Sequence, residues 1–453
     1  LEKDSVIKMI ESKIVWRTLI CIALAATICI YLFHPAHETY GQDFFYYRSL
    51  AQLSRQVAGP LFYHSQDKLI AIESSALSEE LRQELNWKVD ETWVQYVVPR
   101  LPDPRFRSFL PLRYYPEWSS LHELSNNPYS KVSPATFGLL RVFGIDRLGF
   151  RDGYRIWNLI TLLSLLGSIF LLRKFAGIET IPFEILAVVA LWFDPCRSSF
   201  VYGQFTEIAL LTTSIFLYLR VKPQPQLFLA GVALGISIAI KPLAAGLLIF
   251  LIWSIIFVKP RIRAIKEICG VIAGISFVVF FFELLLGSGI WLEWLKSFSV
   301  WYGSYTYTLF SPANRSAAAA LASWFSLDAD SNILKLLHTF YIGAILLIYG
   351  WLFLHPRWRA YLASSPRSGT AMALIGPLLI SKFVLIQYEV FLLVPFAVLL
   401  SIAQSKKTER ISLLALILIL WFGFGFYESF PFLLWTRPEF FLYPLLLVSL
   451  AVS

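Results

Sequence analysis

The chain has 453 residues, of which 57% are hydrophobic and only 15% charged, a balance that excludes a soluble globular protein of this length. The formal net charge of +9 does not point to nucleic acid, because the basic residues gather in short connections between apolar runs, as the positive-inside rule expects. The fold class is an all-α polytopic membrane protein, read as one integral membrane domain over residues 1–453.

Apolar runs of about bilayer length cover roughly residues 14–33, 154–173, 183–201, 204–220, 227–240, 242–258, 268–287, 333–354, 370–382, 384–403, 411–427 and 433–452. They predict about 12 transmembrane helices, with 227–240 and 370–382 short for the hydrocarbon core. The first run lacks a small-residue cleavage site and is expected to be a retained span. Lys3, Lys8, Lys13 and Arg17 precede or open it. Arg173 and Lys174, Arg220 and Lys222, Lys259 to Lys266, Arg357 to Arg367, and Lys406 to Arg410 all fall on the same side of a twelve-span chain. That places the amino terminus in the cytoplasm and leaves two large outer segments, 34–153 and 288–332.

The first outer segment is far longer than a simple connection. Over residues 44–57, Phe44, Phe45, Tyr46, Tyr47, Leu50, Leu53 and Val57 predict an amphipathic helix lying in the interface. A second helix is predicted within 76–98, where Leu77, Leu81 and Leu85 recur at helical spacing. Residues 99–134, rich in Pro, Tyr and Arg, read as irregular. Pro134 to Phe143 is apolar but too short to span, and reads as a re-entrant or interfacial helix. Trp291, Trp294, Trp301, Tyr302, Tyr305 and Tyr307 predict an interfacial aromatic helix in the second segment.

Four cysteines, Cys21, Cys29, Cys196 and Cys269, suggest neither a metal site nor a disulfide framework. The six histidines are scattered, so no metal and no cofactor is expected.

Chemistry is expected at the outer face. Asp43, in Gly41-Gln42-Asp43-Phe44-Phe45-Tyr46-Tyr47, lies about ten residues past the first span. A carboxylate in the first turn of an interfacial helix is held by the helix dipole and suits deprotonation of a polar acceptor. The alternative is an ordinary solvated loop carboxylate. In Asp194 to Gln204, Pro195 ends or kinks a helix and Gly203 permits a tight return. Gln204 and Glu207 then open the next span and need partners there, unless the stretch is a plain turn. Lys241-Pro242 puts a lysine in an apolar hairpin, where it either snorkels or meets an anionic lipid phosphate. Asn314-Arg315-Ser316 suits hydroxyl and phosphate recognition, although loops commonly carry such residues. Lys382 with Gln387, Tyr388 and Glu389 forms a polar junction that would line the same cavity.

Together these segments resemble glycosyltransferase family 87. The resemblance rests on Gly41 to Tyr47, on Pro128-Tyr129-Ser130-Lys131-Val132-Ser133-Pro134, on Tyr202-Gly203-Gln204, on Gly231 to Pro242, and on Asn314-Arg315-Ser316. It implies a GT-C type fold in the bacterial cytoplasmic membrane, with long outer loops carrying interfacial helices. It also implies an inverting, metal-independent transfer, most often of mannose, from a polyprenyl-phosphate donor to a glycolipid or glycan acceptor on the outer face. Membrane lipid is a partner and nucleic acid is not. Asp43 would be the general base, and Lys241, Arg197 and Arg315 the candidates for the donor phosphate. Gln42, Tyr46, Tyr129, Gln204, Asn314, Gln387, Tyr388 and Glu389 would contact sugar or acceptor. Where the family often has a late histidine-containing segment, this chain has Ile386-Gln387-Tyr388-Glu389.

Other readings are an arabinofuranosyl transfer from a similar donor, a lipid or sugar transporter, and a non-catalytic assembly component. A transporter predicts broken helices with mid-bilayer charges and repeat symmetry. Here the polar residues gather at one face and no repeat is evident.

Overall fold

In hydrocarbon each backbone N–H and C=O must find its partner within the chain, and helices achieve this. The computed structural model describes residues 2–33, 44, 47, 48, 51, 54, 55, 133–303, 314–328, 331–381, 384–405, 410–425 and 439–452. Among these residues there is no strand, only an isolated antiparallel bridge between Asn314 and Leu385.

The helices are α1 (Glu2–Phe33), α2 (Pro134–Val142), α3 (Phe150–Ala176), α4 (Phe183–Leu191), α5 (Asp194–Tyr202), α6 (Thr206–Val221), α7 (Leu227–Ile240), α8 (Gly246–Phe257) and α9 (Ile262–Leu286). They continue as α10 (Ile290–Gly303), α11 (Ala317–Trp324), α12 (Asn332–Leu354), α13 (Pro356–Ser364), α14 (Pro366–Ile380), α15 (Leu393–Ser405), α16 (Arg410–Gly425) and α17 (Glu439–Val452). Short 3₁₀ helices cover Ile145–Arg147, Pro242–Ala245 and Ile386–Leu392.

Among the described residues the predicted apolar runs are mostly helical, and the chain is an all-α polytopic membrane protein. Among the described residues, four helical stretches are long and apolar enough to cross a bilayer: 152–176, 262–286, 332–354 and 386–405. A fifth is reached if α4 and α5 count as one span, although they meet at a bend of 64°. The number of about twelve is therefore not reached on length alone. Several other apolar helices, such as 15–30, 227–240 and 440–451, are shorter.

The bend divides the predicted run 183–201 into two helices, and residues 194–202 form α5 where the alternative reading had a plain turn. Pro195 sits in the first turn of α5, where its missing N–H costs nothing, so it starts a helix rather than ending one. The predicted short helix at 134–143 and the aromatic helix after residue 290 are present as α2 and α10. The helix predicted within 76–98 lies outside the described residues.

The tightest crossing joins α7 and α9. Gly231 and Gly235 face Gly270 and Gly274, and a Cβ on Gly231 would lie 1.9 Å from the Glu267 carbonyl oxygen. Small residues four apart let two helix backbones touch, the main source of helix attraction where lipid is as apolar as leucine. Polar ties reinforce the packing. Ser237 on α7 donates to the Ala209 carbonyl on α6 at 2.8 Å, and Arg220 pairs with buried Glu267 at 2.6 Å. Facing outward are the apolar side chains of α9 (Ile272, Phe277, Phe280, Leu284) and α12 (Ile333, Leu336, Phe340, Leu347), all exposed, as lipid-facing surfaces must be.

Candidate functional site

The site is built around the turn from α5 to α6. Helix α5 ends in a left-handed Gly203, φ +71°. Its N–H bonds to the Phe200 carbonyl at 3.1 Å and the Gln204 N–H to the Ser199 carbonyl at 2.8 Å, the paired closure of a glycine C-cap. The turn is then fixed from α3. Tyr154 Oη donates to the Phe200 carbonyl at 2.8 Å, and Trp157 Nε1 to the Gly203 carbonyl at 2.9 Å. These bonds make Gln204, Phe205, Thr206 and Glu207 a rigid ledge at the head of α6, all of them buried.

Lys241 meets this ledge from α7. It caps that helix in extended conformation, φ −142°, before Pro242, which disfavours helical geometry at the preceding residue. Its side chain is turned inward and only 6% of the residue is exposed, so it does not snorkel. The ammonium donates to Thr206 Oγ1 and lies 5.0 Å from the Phe205 ring centroid and 4.2 Å from that of Tyr388. Burying an ammonium in an apolar bundle costs several kcal/mol, and two desolvated cation–π contacts of about 2 kcal/mol each offset part of that. Glu207 is fully buried beside it. Its Oε2 accepts from Ser199 Oγ at 2.8 Å, while its Oε1 has no partner among the described residues.

Tyr388 belongs to the 386–392 3₁₀ helix, which packs on α5 and α6. The next residue, Glu389, is buried and accepts hydrogen bonds from Arg315 and Tyr443. The Asn314 side-chain oxygen accepts from Ser316 N at 3.1 Å and Val384 N at 3.0 Å, and Arg315 N donates to the Val384 carbonyl at 2.6 Å. Gln387 Oε1 is buried without a partner among the described residues. Arg197, on α5, is partly exposed and pairs with Asp194 at 2.9 Å.

The structure thus brings Gln204, Lys241, Asn314, Arg315, Gln387, Tyr388 and Glu389 to one buried region, with Arg197 at its margin. Asp43, Gln42, Tyr46 and Tyr129 lie outside the described residues, as does Lys382. Phe44, the chain neighbour of Asp43, is described. It is fully buried, with its ring 5.6 Å from Tyr154 and 6.5 Å from Trp157. A Cβ on Gly203 would sit 2.4 Å from the Phe44 Cβ. Tyr47 packs edge-on against Phe205 at 5.4 Å.

The same segment is clamped farther along. Arg48 donates to the Leu148 carbonyl at 3.0 and 2.6 Å. Arg55 pairs with buried Asp146 through both carboxylate oxygens, and Arg141 on α2 donates to the Ser54 carbonyl at 2.9 Å. Its hydrogen bond to Asp146 raises the Arg55 pKa, whereas burial, then the Arg55 charge, lowers that of Arg141.

Sequence reasoning did not single out Thr206, Ser199, Phe205 or Tyr443. For Thr206 a signal exists, since polar residues rarely open a membrane helix without a partner. Tyr443 gives none, being one aromatic among many.

A buried lysine between two rings, beside hydroxyl, carboxamide and carboxylate groups, can hold an anion and orient a polyhydroxylated ligand. Comparison with known proteins agrees with a sugar-transfer chemistry. A mannosyltransferase of Mycobacterium tuberculosis (strain CDC 1551 / Oshkosh), described as polyprenol-phosphate-mannose-dependent alpha-(1-2)-phosphatidylinositol pentamannoside mannosyltransferase, is 24% identical over 216 residues. The match covers 43% of this chain and 49% of that protein, so the chain spans about half the length of this relative. No solved structure matches the chain. The model of glycosyltransferase family 87 matches residues 135–385, a stretch that runs from α2 through the 203–207 ledge and Lys241 to the Asn314–Leu385 bridge. The chain belongs to glycosyltransferase family 87.

Proposed function

We propose that this membrane glycosyltransferase, of GT-C type, moves mannose from a polyprenyl-phosphate donor to a hydroxyl of a glycolipid or glycan acceptor. The reaction takes place on the outer face of the cell membrane. The observation that carries this reading is Lys241, a buried cation held between Phe205 and Tyr388 in a chain whose lipid-facing surfaces would admit a lipid-linked anion. Mannose and the polyprenyl donor are suggested by the relative's name.

In this reading the acceptor oxygen attacks the anomeric carbon as the carbon–oxygen bond to phosphate breaks. The bonding pair leaves with the phosphate, which stays on the polyprenol, and the anomeric configuration inverts. Asp43 accepts the hydroxyl proton. Lys241 meets the charge that grows on the leaving phosphate, a contact stronger in the transition state than in the ground state. We assign the phosphate to Lys241 because its ammonium lies at the Phe205–Thr206 ledge beneath Tyr388, whereas Arg197 and Arg315 pair with Asp194 and Glu389. Gln204, Gln387 and Asn314 face the sugar and acceptor hydroxyls. What supports Asp43 is its neighbour Phe44, which packs against Gly203 at the edge of the ledge.

The test is transfer of radiolabelled mannose from synthetic polyprenyl-phosphate-mannose to membrane lipids, comparing the purified wild type with Asp43→Asn. Transfer by the wild type and loss in the variant is the expected result. Equal transfer by both removes Asp43 from the mechanism. Absence of transfer by the wild type, followed by transfer from an arabinofuranosyl donor, replaces the sugar.

A further inference from the structure

We propose that Arg315, Glu389 and Tyr443 form a positioning cluster that holds Tyr388 over Lys241 and ties the segment 314–316 to the phosphate site. Its functional consequence rests on the reading that Lys241 receives the donor phosphate. Its geometry does not.

The three side chains come from distant parts of the chain: the stretch before α11, the 386–392 3₁₀ helix and α17. All are buried, with Arg315 1%, Glu389 0% and Tyr443 2% exposed. Arg315 donates to one carboxylate oxygen of Glu389 and Tyr443 to the other. Replacing a buried ion pair with apolar residues of the same volume is often neutral or stabilising, so such a cluster is not explained by stability alone. What it supplies is a fixed direction. A 3₁₀ helix has three residues per turn and poorer internal hydrogen bonds than an α-helix, so its orientation depends on side-chain anchors. Holding both carboxylate oxygens of Glu389 fixes the helix about its own axis, and with it the direction of the adjacent Tyr388 ring. That ring lies 4.2 Å from the Lys241 ammonium.

The same cluster is joined to segment 314–316 by backbone as well as side chain. Arg315 N donates to the Val384 carbonyl, Val384 N donates to the Asn314 side chain, and Asn314 bridges to Leu385. Ser316 then caps α11 by accepting from Ala319 N at 3.2 Å. A displacement of 314–316 must therefore move the 3₁₀ helix and take Tyr388 off Lys241. Arg315 and Tyr443 act through Tyr388, without touching the donor.

The experiment measures the rate at which acetic anhydride acetylates Lys241 in the full chain in detergent, followed by mass spectrometry, for wild type, Tyr443→Phe, Tyr388→Leu and the double variant. Tyr443→Phe removes one hydroxyl and leaves the packing. It is expected to speed acetylation about tenfold, the lower range for one lost hydrogen bond to a charged group. Tyr388→Leu is expected to speed it as well, and the double variant no further than Tyr388→Leu alone, because both act through one ring. A wild-type rate in Tyr443→Phe overturns the proposal, as does a double variant whose acceleration is the product of the two. Should Tyr443→Phe fail to fold, Glu389→Gln takes its place with the same expectations. The donor KM for polyprenyl-phosphate-mannose, expected to rise in Tyr443→Phe with the acceptor KM unchanged, reports on function separately. A wild type that transfers nothing sinks the functional reading, while the labelling rates still decide the cluster.

Discussion

Phe44 and Gly203 touch without an intervening side chain. The Cβ that any other residue would place at 203 lies 2.4 Å from the Phe44 Cβ and 3.3 Å from its Cα. Gly203 also has φ +71°, a left-handed conformation that costs a residue with Cβ roughly 1–2 kcal/mol. Gly203→Ala is therefore expected to destabilise the protein by about 2 kcal/mol or more and to push the segment carrying Phe44 off the ledge. The unfolding temperature in detergent checks the first effect. For the second, transfer activity below that temperature should fall further than stability does.

Lys241→Met removes a buried ammonium together with its hydrogen bond to Thr206 and its charge beside buried Glu207, so the unfolding temperature is expected to fall. Transfer is expected to fall on the order of 10²–10³-fold, as for loss of one donor facing a developing anion. Steady-state kinetics with a lipid-phosphate donor, paired with a thermal scan, checks both. Unchanged transfer in a well-folded variant would remove Lys241 from the site.

Asp146 anchors the segment 44–55 through Arg55. Asp146→Asn keeps the shape and removes the charge, and is expected to cost about 1.5–3 kcal/mol, the range for hydrogen bonds to charged groups. In the Arg55→Met background the same substitution is expected to cost much less, since the partner is already gone. A double-mutant cycle on unfolding free energy gives the coupling. Additive costs would show that the pair does not act as a clamp.

Much of the fold was legible because apolar runs and helices coincide in a bilayer protein. Gln204, Lys241 and residues 387–389 are buried together near α6, because polar groups in an apolar chain have few places to go. Two features were hidden. The bend at Trp192–Phe193 is marked in the sequence only by the change from an apolar run to the polar stretch beginning at Asp194, and Pro195 is compatible with either ending a helix or opening one. The Arg315–Glu389–Tyr443 cluster joins residues 74 and 54 positions apart in the chain, and neither charge nor spacing encodes a pairing at that range.

The α7–α9 crossing offers a check on the packing itself. A Cβ on Gly270 would lie 2.1 Å from the Phe228 carbonyl, with backbone rather than a flexible side chain in the way. Gly270→Leu is expected to part the two helices and lower stability by at least about 2 kcal/mol, in the upper range for overpacking. Gly343→Leu on lipid-facing α12, where nothing stands within 4 Å, is expected to stay near neutral. Parallel thermal scans of the two variants make the comparison.

The bent pair α4–α5 has a consequence for how the chain is made. Helix α5 carries Asp194, Arg197, Ser198 and Ser199, too many polar groups for it to partition into lipid by itself. Its broadest packing is with residues 386–392, translated almost two hundred residues later. Phe193, at the bend, stacks on Trp421 at 4.4 Å, later still. During synthesis α5 must therefore be sheltered by the translocon, by a membrane chaperone or by the water at the interface until the last third of the chain arrives. The ledge that holds Lys241 becomes complete only when the carboxy-terminal helices close over a segment made long before them.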